Sequence, residues 1–117
     1  MITIYHNPMC SKSREALGLL EQYKKTHHVD IEIILYLENP PSALEIENIC
    51  HKLGITPKKL ARTSEPGYKL LGNINNNEWS MVLAAQPELI QRPIVVTETK
   101  AAIGRPPENI LEILETY

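Results

Sequence analysis

The sequence predicts a single α/β domain covering residues 1–117, and three observations support this prediction. First, the chain has 117 residues, of which 43% are hydrophobic and 22% charged, as is usual for one globular domain. Second, it begins with a strand, helix and strand pattern and ends with two strands and a helix. Third, the segment between these ends carries only helical patterns.

The first third of the chain alternates between strand and helix signals. Residues 2–5 are a β-rich run that leads into the turn signal His6-Asn7-Pro8. In the helix predicted next, one face carries the apolar residues Ala16, Leu17, Leu20 and Tyr23. Residues 31–37 form a second strand pattern that Pro40 and Pro41 follow. A strand, helix and strand of this length predict a parallel crossover.

The middle of the chain predicts several helices. Ser42 and Glu45 have the spacing of a capping box, and Gly54 is placed to end the helix that they begin. Prolines break residues 56–71 into two short helical pieces joined by a turn at residues 62–65. The asparagine-rich residues 72–77 predict a loop. Asn77 is then expected to cap a helix that extends to Ala85 and buries Trp79, Val82 and Leu83.

The last third of the chain predicts a hairpin and a helix. Residues 93–97 and 100–104 are strand patterns, with a tight turn near Glu98 and Thr99. Pro106 and Pro107 then begin an amphipathic helix whose apolar residues are Ile110, Leu111 and Leu114. This element order is that of a thioredoxin-like, three-layer fold with a mixed four-stranded sheet and an inserted helical segment, although the order alone permits other α/β arrangements.

Charge and cysteine content exclude several classes of protein. Twelve basic and fourteen acidic residues give a net charge of −2, which argues against a nucleic acid or an anionic membrane as the main partner. The chain has no transmembrane or signal-peptide pattern, so we expect a cytoplasmic protein. In a reducing compartment, the two cysteines predict neither a structural disulfide nor a metal site.

Cys10 is the candidate nucleophile because it lies where a strand gives way to a helix. Unpaired backbone N–H groups and the helix dipole favour a thiolate there, so the first turn, Ser11, Lys12, Ser13 and Arg14, predicts an anion site. Further positive charge has to come from His6, if protonated, from Lys12 or Arg14, or from arginines elsewhere. The alternative is an incidental loop cysteine. Cys50 lies on an apolar stripe and is expected to be a buried, inert thiol.

Two absences narrow the chemistry of Cys10. A Cys-x-x-Cys redox motif would have its second cysteine three residues after Cys10, where this chain has Ser13. A phosphatase-like anion loop would have an arginine six residues after Cys10, where this chain has Ala16. Cys10 must therefore work with an external thiol or with arginines distant in sequence. Arg92 and Arg105 each precede a proline, which restricts their backbone, and Arg62 lies beside a helix end. A surface salt bridge is the alternative role for each arginine.

Four sequence blocks together resemble the glutaredoxin-coupled arsenate reductases of the ArsC family. They occur in the family's order and spacing across nearly the whole chain. The blocks are Tyr5-His6-Asn7-Pro8-x-Cys10-Ser11-x-Ser13-Arg14, Leu35-Tyr36-Leu37-Glu38-Asn39-Pro40-Pro41, Leu89-Ile90-x-Arg92-Pro93-Ile94-Val95-Val96 and Ile103-Gly104-Arg105-Pro106-Pro107-Glu108.

The resemblance implies a thioredoxin-like fold and a specific reaction. Cys10 would attack arsenate, glutathione would then displace oxide at arsenic, and glutaredoxin would reduce the adduct until arsenite leaves. The resemblance assigns oxyanion binding to Arg62, Arg92 and Arg105, the support of an ionised Cys10 to His6, and the cis-proline to Pro93. No bound cofactor is expected, since glutathione is a co-substrate.

Departures from the family pattern leave two further interpretations. Many members have Gly-Thr where this chain has Ser11-Lys12, and this version resembles an arsenate-reductase-like branch. One alternative is therefore a thiol-dependent oxidoreductase that acts on another oxyanion or on glutathionylated protein. The other is a non-catalytic regulator resembling the Spx proteins, which bind RNA polymerase. Ser13 argues against it because those proteins commonly carry Cys-x-x-Cys.

Overall fold

A computed structural model describes residues 1–117, whose contacts group into two compact units. The first unit combines Met1–Tyr36 with Arg92–Tyr117, and the second is Leu37–Gln91. The prediction of one domain is not tested by this grouping and stays a prediction. None of the helices has both the length and the apolar character needed to cross a bilayer.

The first unit contains a mixed four-stranded sheet, as the sequence predicts. Its order is β2-β1-β3-β4, where β1 and β2 are parallel and β3 is antiparallel to both of its neighbours. The strands are β1 (Ile2–His6), β2 (Ile31–Leu35), β3 (Ile94–Val96) and β4 (Ala101–Ile103). β2 ends two residues earlier than predicted because its last residue pairs with His6, the last residue of β1, and the chain turns at Tyr36.

Helix α1 (Ser11–His27) joins β1 to β2 and packs on the sheet. One face of the helix and one face of the sheet share a core with the C-terminal residues. That core consists of Ile2, Ile4, Ala16, Leu20, Val95, Ile110, Ile113 and Leu114. Its apolar contacts fix the position of α1, and hence of its N-terminus, against the end of β1.

The C-terminal helix differs from the prediction in its phase. A 3₁₀ turn at Pro107–Ile110 precedes the helix α6 (Leu111–Glu115). Because 3₁₀ geometry has three residues per turn, Ile113 is buried in place of Leu111, which is 40% exposed.

The second unit is helical and contains the predicted capping box. Helix α2 (Ala43–Leu53) begins after Ser42, whose Oγ accepts a hydrogen bond from the Glu45 N–H at 3.1 Å. The Glu45 carboxylate accepts one in return from the Ser42 N–H at 3.0 Å. Gly54 ends the helix at φ +72°, a conformation that glycine adopts without strain.

The remaining helices of the second unit follow the prediction with one correction. The two short pieces are α3 (Pro57–Leu60) and α4 (Pro66–Lys69), as expected. Asn77 does not cap the next helix, α5 (Trp79–Ala85), because it lies inside a 3₁₀ turn, Asn76–Glu78. Trp79 and Leu83 are buried, whereas Val82 is only half-buried.

Two glycines offer a matched test of the packing in the first unit. A Cβ at the buried Gly104 would lie 2.8 Å from Pro93 Cγ, so Gly104→Ala should lower the free energy of unfolding by about 1–3 kcal/mol. A Cβ at Gly18 on α1 meets nothing within 4 Å, so Gly18→Ala should raise it by up to about 1 kcal/mol. Urea denaturation of both variants measures these changes. A stabilising Gly104→Ala would contradict the packing described here.

Candidate active site

Cys10 ends a tightly held loop between β1 and α1. The Asn7 carbonyl accepts a hydrogen bond from the Cys10 N–H, and the Asn7 side-chain oxygen accepts one from the Met9 N–H, both at 3.0 Å. The Asn7 N–H donates to Ser13 Oγ at 3.0 Å, and Arg14 Nη1 donates to the Pro8 carbonyl at 2.8 Å. These four bonds fix the loop backbone, so the position of Cys10 is set before any ligand arrives.

The thiol of Cys10 lies at the N-terminus of α1 and is partly exposed. Burial by itself raises its pKa. The backbone N–H groups of Ser13 and Lys12, together with the Arg92 guanidinium, outweigh burial and hold the pKa of Cys10 below the usual value. The backbone N–H groups of the first turn therefore favour the thiolate, and the anion site expected there stays a prediction.

Two arginines of the β3–β4 hairpin meet at this thiol. Ile94 pairs with Ile103, and the Gly104 N–H donates to the Pro93 carbonyl at 2.8 Å. The same antiparallel register places Arg92 opposite Arg105. Arg105 Nη1 lies 3.9 Å from Cys10 Sγ and 3.5 Å from the Arg92 carbonyl oxygen.

These two guanidinium groups are free of carboxylates. Neither Arg92 nor Arg105 forms a salt bridge, and the buried Nε of Arg92 has no hydrogen-bond partner. The Arg92–Pro93 peptide bond is cis, as the family resemblance implies, and so is Arg105–Pro106, which no sequence pattern predicted. Guanidinium groups that lack a carboxylate partner and lie beside a thiolate can hold an oxyanion.

Arg62 belongs to the second unit and has partners of its own there. Its N–H donates to the Leu89 carbonyl at 2.6 Å, next to an isolated bridge between Ala61 and Ile90. Its Nη1 lies 3.5 Å from a carboxylate oxygen of Glu65. Arg62 thus forms the salt bridge that was the alternative to a role in the site. Its expected role in oxyanion binding stays a prediction.

The surroundings of His6 indicate its charge, which the sequence leaves open. Burial, together with the nearby charge of Arg14, lowers its pKa, so the ring is mostly neutral at pH 7 and does not supply the positive charge considered for Cys10. His6 Nδ1 lies 2.6 Å from Ser13 Oγ. Because that oxygen already accepts the Asn7 N–H, we assign the Ser13 hydroxyl as the donor to Nδ1.

The side chains of the first turn of α1 have different roles. Ser13 is fully buried and ties the end of β1 to the helix, which its sequence position did not indicate. Arg14 holds the Pro8 carbonyl, and Lys12 lies 4.0 Å from Glu15. Ser11 is exposed. The side chains of Ser13 and Arg14 therefore stabilise the loop that carries Cys10.

Cys50 has the properties expected of a packing residue. It is buried on α2, and burial, assisted by the Glu47 charge, raises the pKa of its thiol to about 11. No three His, Cys, Asp or Glu side chains converge to hold a metal ion. The chemistry that the described side chains support is thus nucleophilic attack by Cys10 on an anion held by arginines.

Comparisons with known proteins find relatives that match nearly the whole chain. The ArsC family model matches residues 5–113. The chain is 42% identical to an arsenate reductase of Neisseria meningitidis over 97% of both chains. It is 44% identical to one of Haemophilus influenzae over 97% of this chain and 98% of the other. The structure of an arsenate reductase from Vibrio cholerae superposes with a TM-score of 0.84 at 39% identity, covering 96% of each chain. These similarities confirm the predicted thioredoxin-like α/β fold.

The two thiols should differ strongly in reactivity. The pH profile of Cys10 alkylation by iodoacetamide should have its midpoint below about 8.5, the usual pKa of a free cysteine. Cys50 should react only after unfolding.

Replacing Arg92 with Gln removes a positive charge and should slow Cys10 alkylation at pH 7 by roughly threefold to tenfold. Lys25→Gln, at the far end of α1, is the control. Equal reactivity of both thiols, measured by mass spectrometry, would contradict the electrostatic account.

The lowered pKa of His6 predicts an acid-sensitive contribution to stability. The folded protein binds this proton less readily than the unfolded chain, whose histidine pKa is about 6.5. Stability is therefore full above about pH 6.5 and falls as the pH decreases, by at most about 1.4 kcal/mol per pH unit for one proton. Denaturation from pH 7 to 5 should show a shallower pH dependence in His6→Gln. An unchanged slope in His6→Gln would refute this prediction.

Proposed function

The chain belongs to the ArsC family, and from this membership and the geometry at Cys10 we propose that it reduces arsenate to arsenite with electrons from glutathione and a glutaredoxin. The observation that carries the proposal is the contact between Cys10 and two arginines that have no carboxylate partner. The identification of arsenate as the substrate rests on the relatives that are named arsenate reductases.

Charge explains why arsenate suits these residues. Both a thiolate and arsenate are negative at neutral pH, so their approach is repulsive unless positive groups offset it. The N–H groups of Lys12 and Ser13 and the guanidinium groups of Arg92 and Arg105 lie where they oppose that repulsion. Each guanidinium can also donate two hydrogen bonds to neighbouring oxygens of the oxyanion.

The first step joins sulfur to arsenic. The Cys10 thiolate attacks arsenic, an As–S bond forms, and one As–O bond breaks. The departing oxygen takes up protons from solvent and leaves as water, so arsenic stays in the +5 state. Arg105, which contacts Sγ at 3.9 Å in the free protein, can move its donors to the oxyanion as the sulfur loses its charge.

The electrons come from thiols outside the chain. Glutathione displaces a second oxygen, which leaves as water, and a glutaredoxin thiolate then attacks the glutathione sulfur. That attack forms one disulfide, transfers two electrons to arsenic and leaves As(III) on Cys10, and hydrolysis of the last As–S bond releases arsenite. External thiols are needed because Ser13 takes the place of a second motif cysteine and Cys50 is buried.

One further residue belongs to the proposal, whereas the expected role of Arg62, which lies in the second unit beside Glu65, stays a prediction. His6 is retained as a neutral positioning residue, which acts on Cys10 through Ser13 and the loop. Arsenate turnover by His6→Gln, compared with Cys10 alkylation by the same variant, separates positioning from binding.

Arsenate-dependent NADPH consumption, coupled through glutathione reductase, measures the proposed activity. Cys10→Ser should be inactive, and Cys50→Ala should keep wild-type turnover. Arg92→Ala or Arg105→Ala should raise the KM for arsenate by roughly tenfold to a hundredfold, because each removes charged hydrogen bonds. Lysine at either position should restore only part of this loss, since it lacks the planar fork.

Two results would contradict the proposal. Wild-type turnover no higher than that of Cys10→Ser would exclude arsenate reduction. Turnover of a glutathionylated peptide, without turnover of arsenate, would instead favour the thiol-dependent oxidoreductase. Full rescue by lysine would show that bidentate geometry is not needed.

A further inference from the structure

The loop before Cys10 exposes two apolar residues, Pro8 and Met9, which we call the Pro8–Met9 tip. The Met9 side chain is 87% exposed. Its backbone is nevertheless fixed, because the Met9 N–H donates to Asn7 Oδ1 at 3.0 Å and the Pro8 carbonyl accepts from Arg14 at 2.8 Å. A hydrogen-bonded backbone thus presents a flexible apolar side chain at the residue that precedes the nucleophile.

The established contacts of Cys10 give Met9 no function. The groups that set the Cys10 pKa are backbone N–H groups and Arg92. A thioether is also a poor ligand for an oxyanion, which takes charged and N–H donors. Single exposed apolar residues are common on protein surfaces, and Leu70 is equally exposed at 87%. Met9 differs from Leu70 because it directly precedes the nucleophile and lies on a loop whose backbone is held by hydrogen bonds.

We propose that the Pro8–Met9 tip is a docking contact for the protein that reduces the Cys10 adduct, an inference that rests on the proposed function. A protein thiol can reach a group bound to Cys10 only if the protein sits on the rim of the site. The rim of the first unit offers the apolar tip and three exposed cationic side chains, Lys12, Arg14 and Arg105. The complementary partner carries an apolar patch beside its reactive cysteine and acidic groups around it.

Methionine suits such a contact for a physical reason. Its unbranched, polarisable side chain adapts to an irregular apolar surface, and burying it on docking removes exposed apolar area from water. The cationic rim would steer the partner, whereas the tip would hold it after contact. A small thiol has no surface to place on the tip and should not depend on it.

A mixed disulfide between Cys10 and glutathione isolates the docking step from arsenic chemistry. The glutaredoxin thiolate attacks the glutathione sulfur, the bond from that sulfur to Cys10 breaks, and a disulfide between glutathione and glutaredoxin forms. Cys10 leaves as a thiolate, so charge and electrons balance. The measurement is the second-order rate constant of this reaction in a Cys50→Ala background, with dithiothreitol as the small-thiol comparison.

Met9→Gln keeps the length of the side chain and makes it polar. We expect it to lower the rate constant with glutaredoxin by about fivefold or more, as for a docking residue, and to leave the rate with dithiothreitol within about twofold of wild type. Met9→Leu should restore the glutaredoxin rate. Met81→Gln makes the same change at a methionine that is 57% exposed on α5, and it should have no effect.

Two outcomes would overturn the inference, and a third would separate it from the proposed function. A glutaredoxin rate within twofold of wild type in Met9→Gln would show that the tip is not a docking contact. An equal loss with dithiothreitol would show that Met9 acts on the environment of Cys10 instead. If the wild type fails to turn over arsenate but Met9→Gln still slows glutaredoxin selectively, the proposed substrate is wrong and the docking contact stands.

Discussion

The buried hydroxyl of Ser13 is the contact on which the geometry around Cys10 depends. Its oxygen accepts the Asn7 N–H and lies 2.6 Å from His6 Nδ1, so it ties the last residue of β1 to the first turn of α1. With these two ends joined, the intervening loop has little freedom, and Cys10 meets the unpaired N–H groups of the helix. A neutral His6 follows from the same burial, since a charged ring would lose hydration there without an anionic partner.

The pKa of Cys10 reflects a balance between burial, which raises it, and several groups that lower it. Lowering a thiol pKa by one unit requires about 1.4 kcal/mol of preferential stabilisation of the thiolate. A helix N-terminus supplies at most about 2 kcal/mol, and burial of Cys10 opposes it. Arg92 adds to the stabilisation of the thiolate and is also a candidate ligand for the substrate. A site that activates its thiol with the donors that would also bind the anion has no need of a separate base.

Local signals in the sequence predicted much of the fold, and contacts between distant residues account for what it missed. The capping box at Ser42 and Glu45, the helix end at Gly54 and the proline-broken helices depend on neighbours within a few residues, and all are confirmed. The phase of the C-terminal helix was wrong because 3₁₀ and α geometry share the same proline signal. The charge of His6 could not be predicted from the sequence because burial, which lowers its pKa, depends on the packed sheet. Sequence motifs identified Cys10, Arg92 and Arg105 as candidates, but the distance between Cys10 and Arg105 is known only from the structure.

The register of one short hairpin is what converts those motif arginines into a site. The turn that joins β3 to β4 is fixed by the Thr97 N–H donating to the Lys100 carbonyl at 2.8 Å. From this turn the pairing continues to Ile94 and Ile103, and Arg92 and Arg105 lie just beyond that pair at the other end of the hairpin. A slip of one residue would point the side chains of the slipped strand to the opposite face. The hairpin is in turn held to β1 by pairs such as Tyr5 with Ile94, next to the loop of Cys10. The thiol and its arginines, more than 80 positions apart in sequence, therefore meet because β1 and β3 pair at the point where both strands reach the site.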